Sequence, residues 1–420
     1  MEDKPAMNQP QPKQPLLNDQ LKLFMGAMVL ANIAGHMSGS LLPNYLTQLN
    51  ATPEQVGLFF TLSRILPLVL QILGGWLSDS LGRLRSIAIG SVAGVLGYLG
   101  LLLAPSWQYA LVGEGLGTVA RSFVGPSFSA FIAEQSTEET RARVFGVTQF
   151  LFGSVNVIGP LLSGFLAGGR GFQFMLLCAA GLYTAAALIR VRMARAAARG
   201  GEAHPTRPSF GGLRGNLGAV LGMILAGGIF TWIVITDGIG DISFSLSFNL
   251  LPVYMEEVGQ MTLQQIGLLF SIFGVFAMAA NLLAGWLADR RGERVVIACG
   301  FALNFAALMF FLQANSFWSY AGAWALFGVG VGMIEPTYQS LTSKVVPEHL
   351  RGTAFGLVRG GLGLFSLPAP AIGGQLWRRF NPGLPFRLTA WATLLSVVPV
   401  WFKFRLSDKS AQSGRVPVES

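Results

Sequence analysis

The chain has 420 residues, 52% apolar and only 12% charged, with 53 Gly, 21 Pro and a formal net charge of +9. Soluble domains carry about a quarter charged residues, so an ordinary cytosolic enzyme, a disordered chain and a disulfide scaffold are excluded in favour of a membrane protein. The basic balance does not indicate nucleic acid, because Lys and Arg gather at the ends of apolar runs and form no stripe interleaved with exposed aromatics.

Residues 1–20 are rich in Pro, Gln, Asn and Lys. They lack the apolar stretch and cleavage site of a signal peptide and are expected to form a cytoplasmic tail. A bilayer-spanning helix needs about 20 largely apolar residues. Such runs fall at 21–46, 56–79, 86–104, 108–133, 144–168 and 172–193, then at 217–255, 265–288, 295–314, 317–342, 353–377 and 386–405. Helices are preferred to a barrel because the runs are long and continuously apolar, and in lipid each backbone group must be satisfied within its own segment. The reading is an all-α membrane protein of twelve transmembrane helices: a first half at 21–194, a polar cytoplasmic linker at 195–216, a second half at 217–405 and a tail at 406–420. Cys178 and Cys299 sit in apolar runs with no Cys or His at ligand spacing, so no disulfide, metal site or cofactor is expected.

With the N-terminus inside, only Arg170, Arg378, Arg379 and Arg387 fall outside and only Arg64, Arg121 and Arg359 within the membrane. That bias assigns both termini to the cytoplasm, with the Arg378 to Arg387 loop as a local exception. Run seven would be about 58 Å long at helical rise, so it must bend or break. Gly227, Gly228, Gly238 and Gly240 offer the positions, with Asp237 and Asp241 beside the second pair. A Gly-interrupted helix bearing acids is a pointer to a substrate or ion site in transporters.

Sliding the chain along itself by 210 residues aligns Gln55, Gly57, Leu58 and Phe60 with Gln265, Gly267, Leu268 and Phe270. The block Gly75-Trp76-Leu77-Ser78-Asp79 with Gly82 falls on Gly285-Trp286-Leu287-Ala288-Asp289 with Gly292. Pro126, Arg141, Phe145, Pro160 and Gly164 fall on Pro336, Arg351, Phe355, Pro370 and Gly374, while Pro43 matches Pro252 at a shift of 209. The halves are copies of one another.

A parallel duplication of six spans resembles the major facilitator superfamily of secondary transporters, in particular its drug-efflux members. The family signature after helix 2, G-x-x-x-D-[RK]-x-G-[RK]-[RK], is matched by Gly75, Asp79, Gly82, Arg83 and Arg85, and in the second copy by Gly285, Asp289, Arg290, Gly292 and Arg294. Ser80, Leu84 and Glu293 depart from it. The resemblance implies that the acids latch one half to the other at the cytoplasmic end; the plainer reading is a positive-inside turn. Gly159-Pro160 with Gly164, and Pro370 with Gly374, resemble the family's G-P-x-x-G-G stretch, implying either proton-antiport gating or a packing kink. In the R-x-x-x-G-x-G pattern of helix 4, Gly115 and Gly117 are present but Leu111 stands at the Arg position. Glu134 and Arg141 match an E-x6-R spacing that implies a cytoplasmic gate pair.

Ionisable groups within a bilayer are costly and therefore functional candidates. Depth along the runs pairs Arg64 with Glu114 and Glu335 with Arg359, as structural ion pairs or coupling groups. Arg121 lies on nearly the same helix face as Glu114. Asp241 matches Asn32 of the first run across the repeat, Asp237 is one turn away, and both are expected to face Arg121 across a central cavity. A carboxylate held away from water takes up a proton more readily and a nearby arginine reverses this. His36 and Asn156, with Asn281 and Gln339, are either ligand contacts or helix-packing groups, while Phe and Met would suit an apolar cargo.

These residues predict a secondary transporter of small molecules, driven by protons or sodium and exporting lipophilic or drug-like compounds as a monomer in a prokaryotic inner membrane. Uptake of a sugar or organic anion, with Arg121 and Arg64 as contacts, is the alternative within the class. A polytopic enzyme lacks any catalytic motif to support it, and a passive channel is disfavoured by the duplication. The run Gly328-Val329-Gly330-Val331-Gly332 is read as helix packing.

Overall fold

The computed structural model describes residues 19–81, 83–134, 136, 138–199, 220, 222–347, 350–351, 354 and 362–404. Six helices build the first half: α1 (Asp19–Gln48), α2 (Pro53–Leu81), α3 (Arg83–Leu102), α4 (Trp107–Glu134), α5 (Glu138–Arg170) and α6 (Phe172–Arg199). The second half holds α7 (Ile229–Ser247), a 3-10 turn (Phe248–Leu250), α8 (Leu251–Glu257), α9 (Leu263–Arg291), α10 (Glu293–Phe311), α11 (Phe317–Val345), α12 (Leu362–Ser366), α13 (Ala369–Arg379) and α14 (Leu384–Lys403). Among the described residues nine stretches are long and apolar enough to cross a bilayer. Helices α2 and α4 and the interrupted α12–α13 occupy the other predicted runs, so the twelve-span all-α architecture holds.

Local chemistry explains both the matches and the deviations. Thr262 and Gln265 form a reciprocal capping box at the start of α9, and Thr52 and Gln55 exchange the same two bonds at the start of α2. The alignment of Gln55 with Gln265 therefore records a conserved solution to the orphan N–H groups of a helix start. Run seven breaks once where expected: Gly227 has φ +73°, a conformation that glycine adopts without a Cβ penalty, and α7 begins just after it. The Thr231 hydroxyl donates to the Ile224 carbonyl at 2.6 Å and ties the two sides of the bend. Gly238 and Gly240, by contrast, lie inside the unbroken α7. The second interruption is the 3-10 turn before Pro252, whose missing N–H is harmless near the start of α8. Helix α6 runs to Arg199, past the expected linker start at 195.

Contacts within each half repeat. Helix α3 packs on α4 and α6, α1 on α6 and α2 on α4, as α10 packs on α11 and α14, α7 on α14 and α9 on α11. In lipid there is no hydrophobic drive between helices, so close backbone approach takes its place. A Cβ on Gly328 or Gly332 of α11 would meet the carbonyls of Phe273 or Ala277 of α9, and one on Gly330 would meet Asn304 of α10. The glycine run is thus a packing surface toward two neighbours.

Candidate functional site

The end of the bundle carrying the α1–α2 and α5–α6 turns, which the charge bias assigns to the outside, is closed by contacts between the halves. Helix α2 packs on α13 and α5 on α9, the two contacts being copies of one another under the repeat. A Cβ on Gly57 would lie 2.2 Å from the Pro370 carbonyl, and one on Gly267 2.5 Å from the Pro160 carbonyl. Gly159 of α5 abuts His36 of α1, where a Cβ would come within 2.4 Å. Both G-P-x-x-G-G stretches therefore lie at the contact between the halves, with the carbonyls of Pro160 and Pro370 against the opposite half.

Polar bonds reinforce it. Ser271 Oγ donates to the Val157 carbonyl at 2.7 Å, Ala371 N to Thr61 Oγ1 at 3.0 Å and Asn44 Nδ2 to the Pro252 carbonyl at 3.0 Å. Arg378 pairs with Glu54 across the halves, and the hydrogen bond and charge of Glu54 hold its guanidinium still further above the usual arginine range. One arginine of the local exception to the charge bias thereby has its partner. The largest apolar cluster crosses this end, joining Met37, Leu41 and Phe59 to Leu250, Val253 and Ile266. Toward the other end each half keeps its own clusters.

Within the second half, α7, α10, α11 and α14 enclose a cavity of about 430 Å³. Asp237, Asp241, Glu335 and Gln339 line it together with Phe244, Phe301, Phe327 and Tyr338. Successive turns of α7 present Asp237 and Asp241, because residues four apart share a helix face. Gln339 Nε2 donates to Glu335 Oε1 at 3.2 Å, and the Tyr338 hydroxyl donates to Thr236 at 2.8 Å, which fixes the ring. Thr389 of α14 donates to the Ser243 carbonyl at 2.6 Å and pins the far wall. Asn304 is buried at the cavity wall and its carboxamide oxygen has no hydrogen-bond partner among the described residues. Among the described residues the lining carries Phe and Tyr and no Met.

The charged residues of the first half are distributed differently from the expectation. Arg121 does not line the cavity of the two acids. It is ion-paired with Glu114 on its own helix and donates to Thr118 at 2.8 Å. Arg64, paired with Glu114 by depth alone, instead donates to Ser245 Oγ of α7 at 2.6 Å, one helical turn beyond Asp241 on the same face. Depth along a run says nothing about azimuth, and azimuth decides both pairings. His36 and Asn156 are exposed on α1 and α5. Arg359 and Gly82 lie outside the described residues, as do the side chains of Gly75, Asp79, Glu134 and Arg141 and the segments 1–18, 200–219 and 405–420. Asp289 is exposed at the end of α9, and Arg294 stacks on Trp401 of α14 at 4.7 Å, within its own half.

Two charged groups escaped the sequence reading. Arg190, counted among cytoplasmic residues, is 1% exposed in α6 and donates to Ser91 Oγ at 3.1 Å. Glu293, noted only as a departure from the loop signature, is buried, pairs with Lys344 of α11 and accepts from Ser340 at 3.2 Å. A signal was present: at the 210 shift Arg83 and Glu134 fall on Glu293 and Lys344, so the charges exchange places. Glu293→Gln is expected to lower stability by about 1.5–3 kcal/mol, the range for a hydrogen bond to a charged group, measured by thermal unfolding in detergent. Lys344→Gln should cost at least as much, since it leaves the buried Glu293 carboxylate without its counter-charge.

Comparison with known proteins agrees with this architecture. The chain is 26% identical over 383 residues to a Na(+), Li(+), K(+)/H(+) antiporter of Planococcus maritimus, covering 84% of this chain and 88% of the antiporter. It is 32% identical over 168 residues to multidrug resistance protein MdtG of Yersinia enterocolitica, a match spanning 39% of this chain and 40% of that protein. The fold superposes on a bacterial homologue of the iron transporter ferroportin in an inward-facing state with a TM-score of 0.75 at 15% identity, covering 93% and 99% of the two chains. It matches the peptide transporter POT with a TM-score of 0.71 at 14% identity, over 90% and 93%. The family model of secondary transporters matches residues 24–240 and again 234–420. The duplicated six-helix halves, meeting at one end through α2–α13 and α5–α9, are those of a chain that belongs to the Major Facilitator Superfamily.

Proposed function

We propose that this chain is a proton-coupled exporter of lipophilic organic cations, working by alternating access as a monomer with both termini in the cytoplasm of a prokaryotic cell. The observation that carries the reading is the cavity, in which Asp237, Asp241 and Glu335 stand beside four aromatic rings. Carboxylates at depth favour a positive charge, and aromatic faces attract cations while covering an apolar body. Its size is that of a small-molecule site. An organic anion would meet three carboxylates, and a sugar would find few donors, so uptake of either is disfavoured. A carboxylate that binds a proton or a cation, but not both, makes the two ligands exchange.

The relatives support this reading in two ways, one being named for multidrug resistance and the other for exchange of cations against protons. The antiporter, similar over most of both chains, also favours a second reading in which an alkali cation uses the same carboxylates. The apolar walls favour the organic cation. The inner-end residues Gly75, Asp79, Gly82, Arg83, Glu134, Arg141, Asp289 and Arg294 serve as the latch that closes when the outer end opens.

Calorimetric titration of the detergent-purified protein with tetraphenylphosphonium, sodium chloride, tosylate and xylose tests the reading. Saturable binding of tetraphenylphosphonium, at least tenfold tighter than that of the others, is expected. Binding of tosylate or xylose alone overturns it, and binding of sodium alone moves the assignment to the second reading.

A further inference from the structure

We propose that Arg64 is a tethered counter-cation that holds the empty carrier shut at its outer end until a proton or a cargo cation neutralises Asp241. The inference rests on the cavity acids acting as the exchange site. Arg64 belongs to α2 of the first half, and its Nη1 donates to Ser245 Oγ of α7 in the second half at 2.6 Å. Ser245 follows Asp241 by one helical turn on the same face, and Asp241 lies at the cavity wall. Seven residues before Arg64, Gly57 is pressed against the Pro370 carbonyl at the outer closure. The bond therefore sits about 10 Å inward of that contact at helical rise, between the closure and the cavity. Opening the outer end moves the halves apart as rigid bodies, so Arg64 must leave Ser245 and the field of Asp241.

A guanidinium within a bilayer is costly unless a counter-charge faces it. In the empty carrier Asp241 supplies that charge, and opening the outer end is resisted. Once a proton or a cation occupies the carboxylate, Arg64 loses its counter-charge and the closure is released. Exchange requires that the loaded carrier cycle and the empty one stay put, and this pairing provides that asymmetry. The device is not a by-product of the duplication, since the repeat places Gly274 at the position equivalent to Arg64. Among the described residues the charged groups beside Asp241 are Asp237 and Glu335 on the cavity wall and Arg64, one helical turn away at Ser245.

Pulsed electron paramagnetic resonance on the full chain tests the proposal without any cargo. Cys178 and Cys299 are replaced by Ser, and spin labels are carried by Leu103→Cys and Trp318→Cys, exposed positions at the outer ends of the two halves. The unliganded protein is expected to show one short distance. Arg64→Gln should raise the ratio of open to closed outer ends at least tenfold, Asp241→Asn should do the same, and the double variant should open no further than either. Arg64→Lys should stay closed, which separates loss of charge from loss of fold, and Ser245→Ala should shift the ratio less than threefold. Wild-type distances in Arg64→Gln overturn the proposal, as do additive effects in the double variant or full opening by Ser245→Ala. If these distances behave as expected while no organic or alkali cation binds, the lock stands and the cargo assignment falls.

Discussion

Asp241→Asn is expected to lower cargo export 30-fold or more, while the purified protein keeps its helical content and its monodispersity. The substitution preserves shape and hydrogen-bonding capacity and removes only the charge. Truncating one partner of a desolvated charge pair costs about 2–5 kcal/mol, which at about 1.4 kcal/mol per tenfold is a loss of 30-fold to several thousandfold. Asp241 is placed for the largest effect because it stands at the cavity wall one helical turn before Ser245, the residue of α7 that accepts from Arg64 of the other half. Asp237→Asn and Glu335→Gln change the same cavity without touching that contact. They should weaken cargo binding more than they reduce the coupled rate at saturating cargo, and ethidium efflux measured over a range of concentrations separates the two. Equal effects at all three positions would mean that only the summed negative charge matters.

Gly373→Val is the second large effect. A Cβ at Gly373 would stand 1.9 Å from the Leu246 carbonyl of α7, closer than any real contact. Both atoms belong to helix backbones, so the strain is relieved only by moving α13 away from α7, and with it the outer contact that α13 makes with α2. Overpacking costs about 1–3 kcal/mol, enough to overturn a balance between two carrier states of similar energy. The variant is expected to rest with its outer end open and to lose at least tenfold in transport. Gly57→Val, which drives a side chain into the Pro370 carbonyl, should behave alike, and the two together should be no worse than one. Gly169→Ala is the control: nothing lies within 4 Å of its Cβ, so transport should stay within about twofold. Labelling of an outer-end cysteine by an impermeant thiol reagent reads the state directly.

Most of the architecture was legible in the sequence because lipid simplifies the problem. Backbone groups must be satisfied within each span, so run length and charge bias fix the spans, and the 210-residue repeat then fixes which spans correspond. The break at Gly227 and the packing role of Gly328 to Gly332 were legible for the same reason, since each depends on neighbours within a turn or two. The pairing of Arg121 with Glu114 was legible from their shared helix face, but the partner of Arg64 was not. Depth brings Arg64 to the level of Glu114, and only the rotation of α2 about its axis turns it toward Ser245 of α7 instead. Arg190 was hidden by its position near the cytoplasmic end of an apolar run, where a snorkelling arginine is the ordinary expectation. Glu293 was visible as an anomaly in a loop signature. Its partner Lys344 lies 51 residues on, and only the exchange of charges between the two copies links them.

The most direct test of the central claim, that a carboxylate in the second half exchanges protons for cations, is proton movement evoked by cargo. Proteoliposomes containing the purified chain and an entrapped pH-sensitive dye are given an ethidium gradient, with Asp241→Asn vesicles alongside. Ethidium entering the vesicles should drive protons out, raising the internal pH with the wild-type chain and leaving it unchanged with the variant. Ethidium crossing through the wild-type chain without a pH change, or an identical pH change with Asp241→Asn, would contradict the assignment of Asp241 as the exchange site.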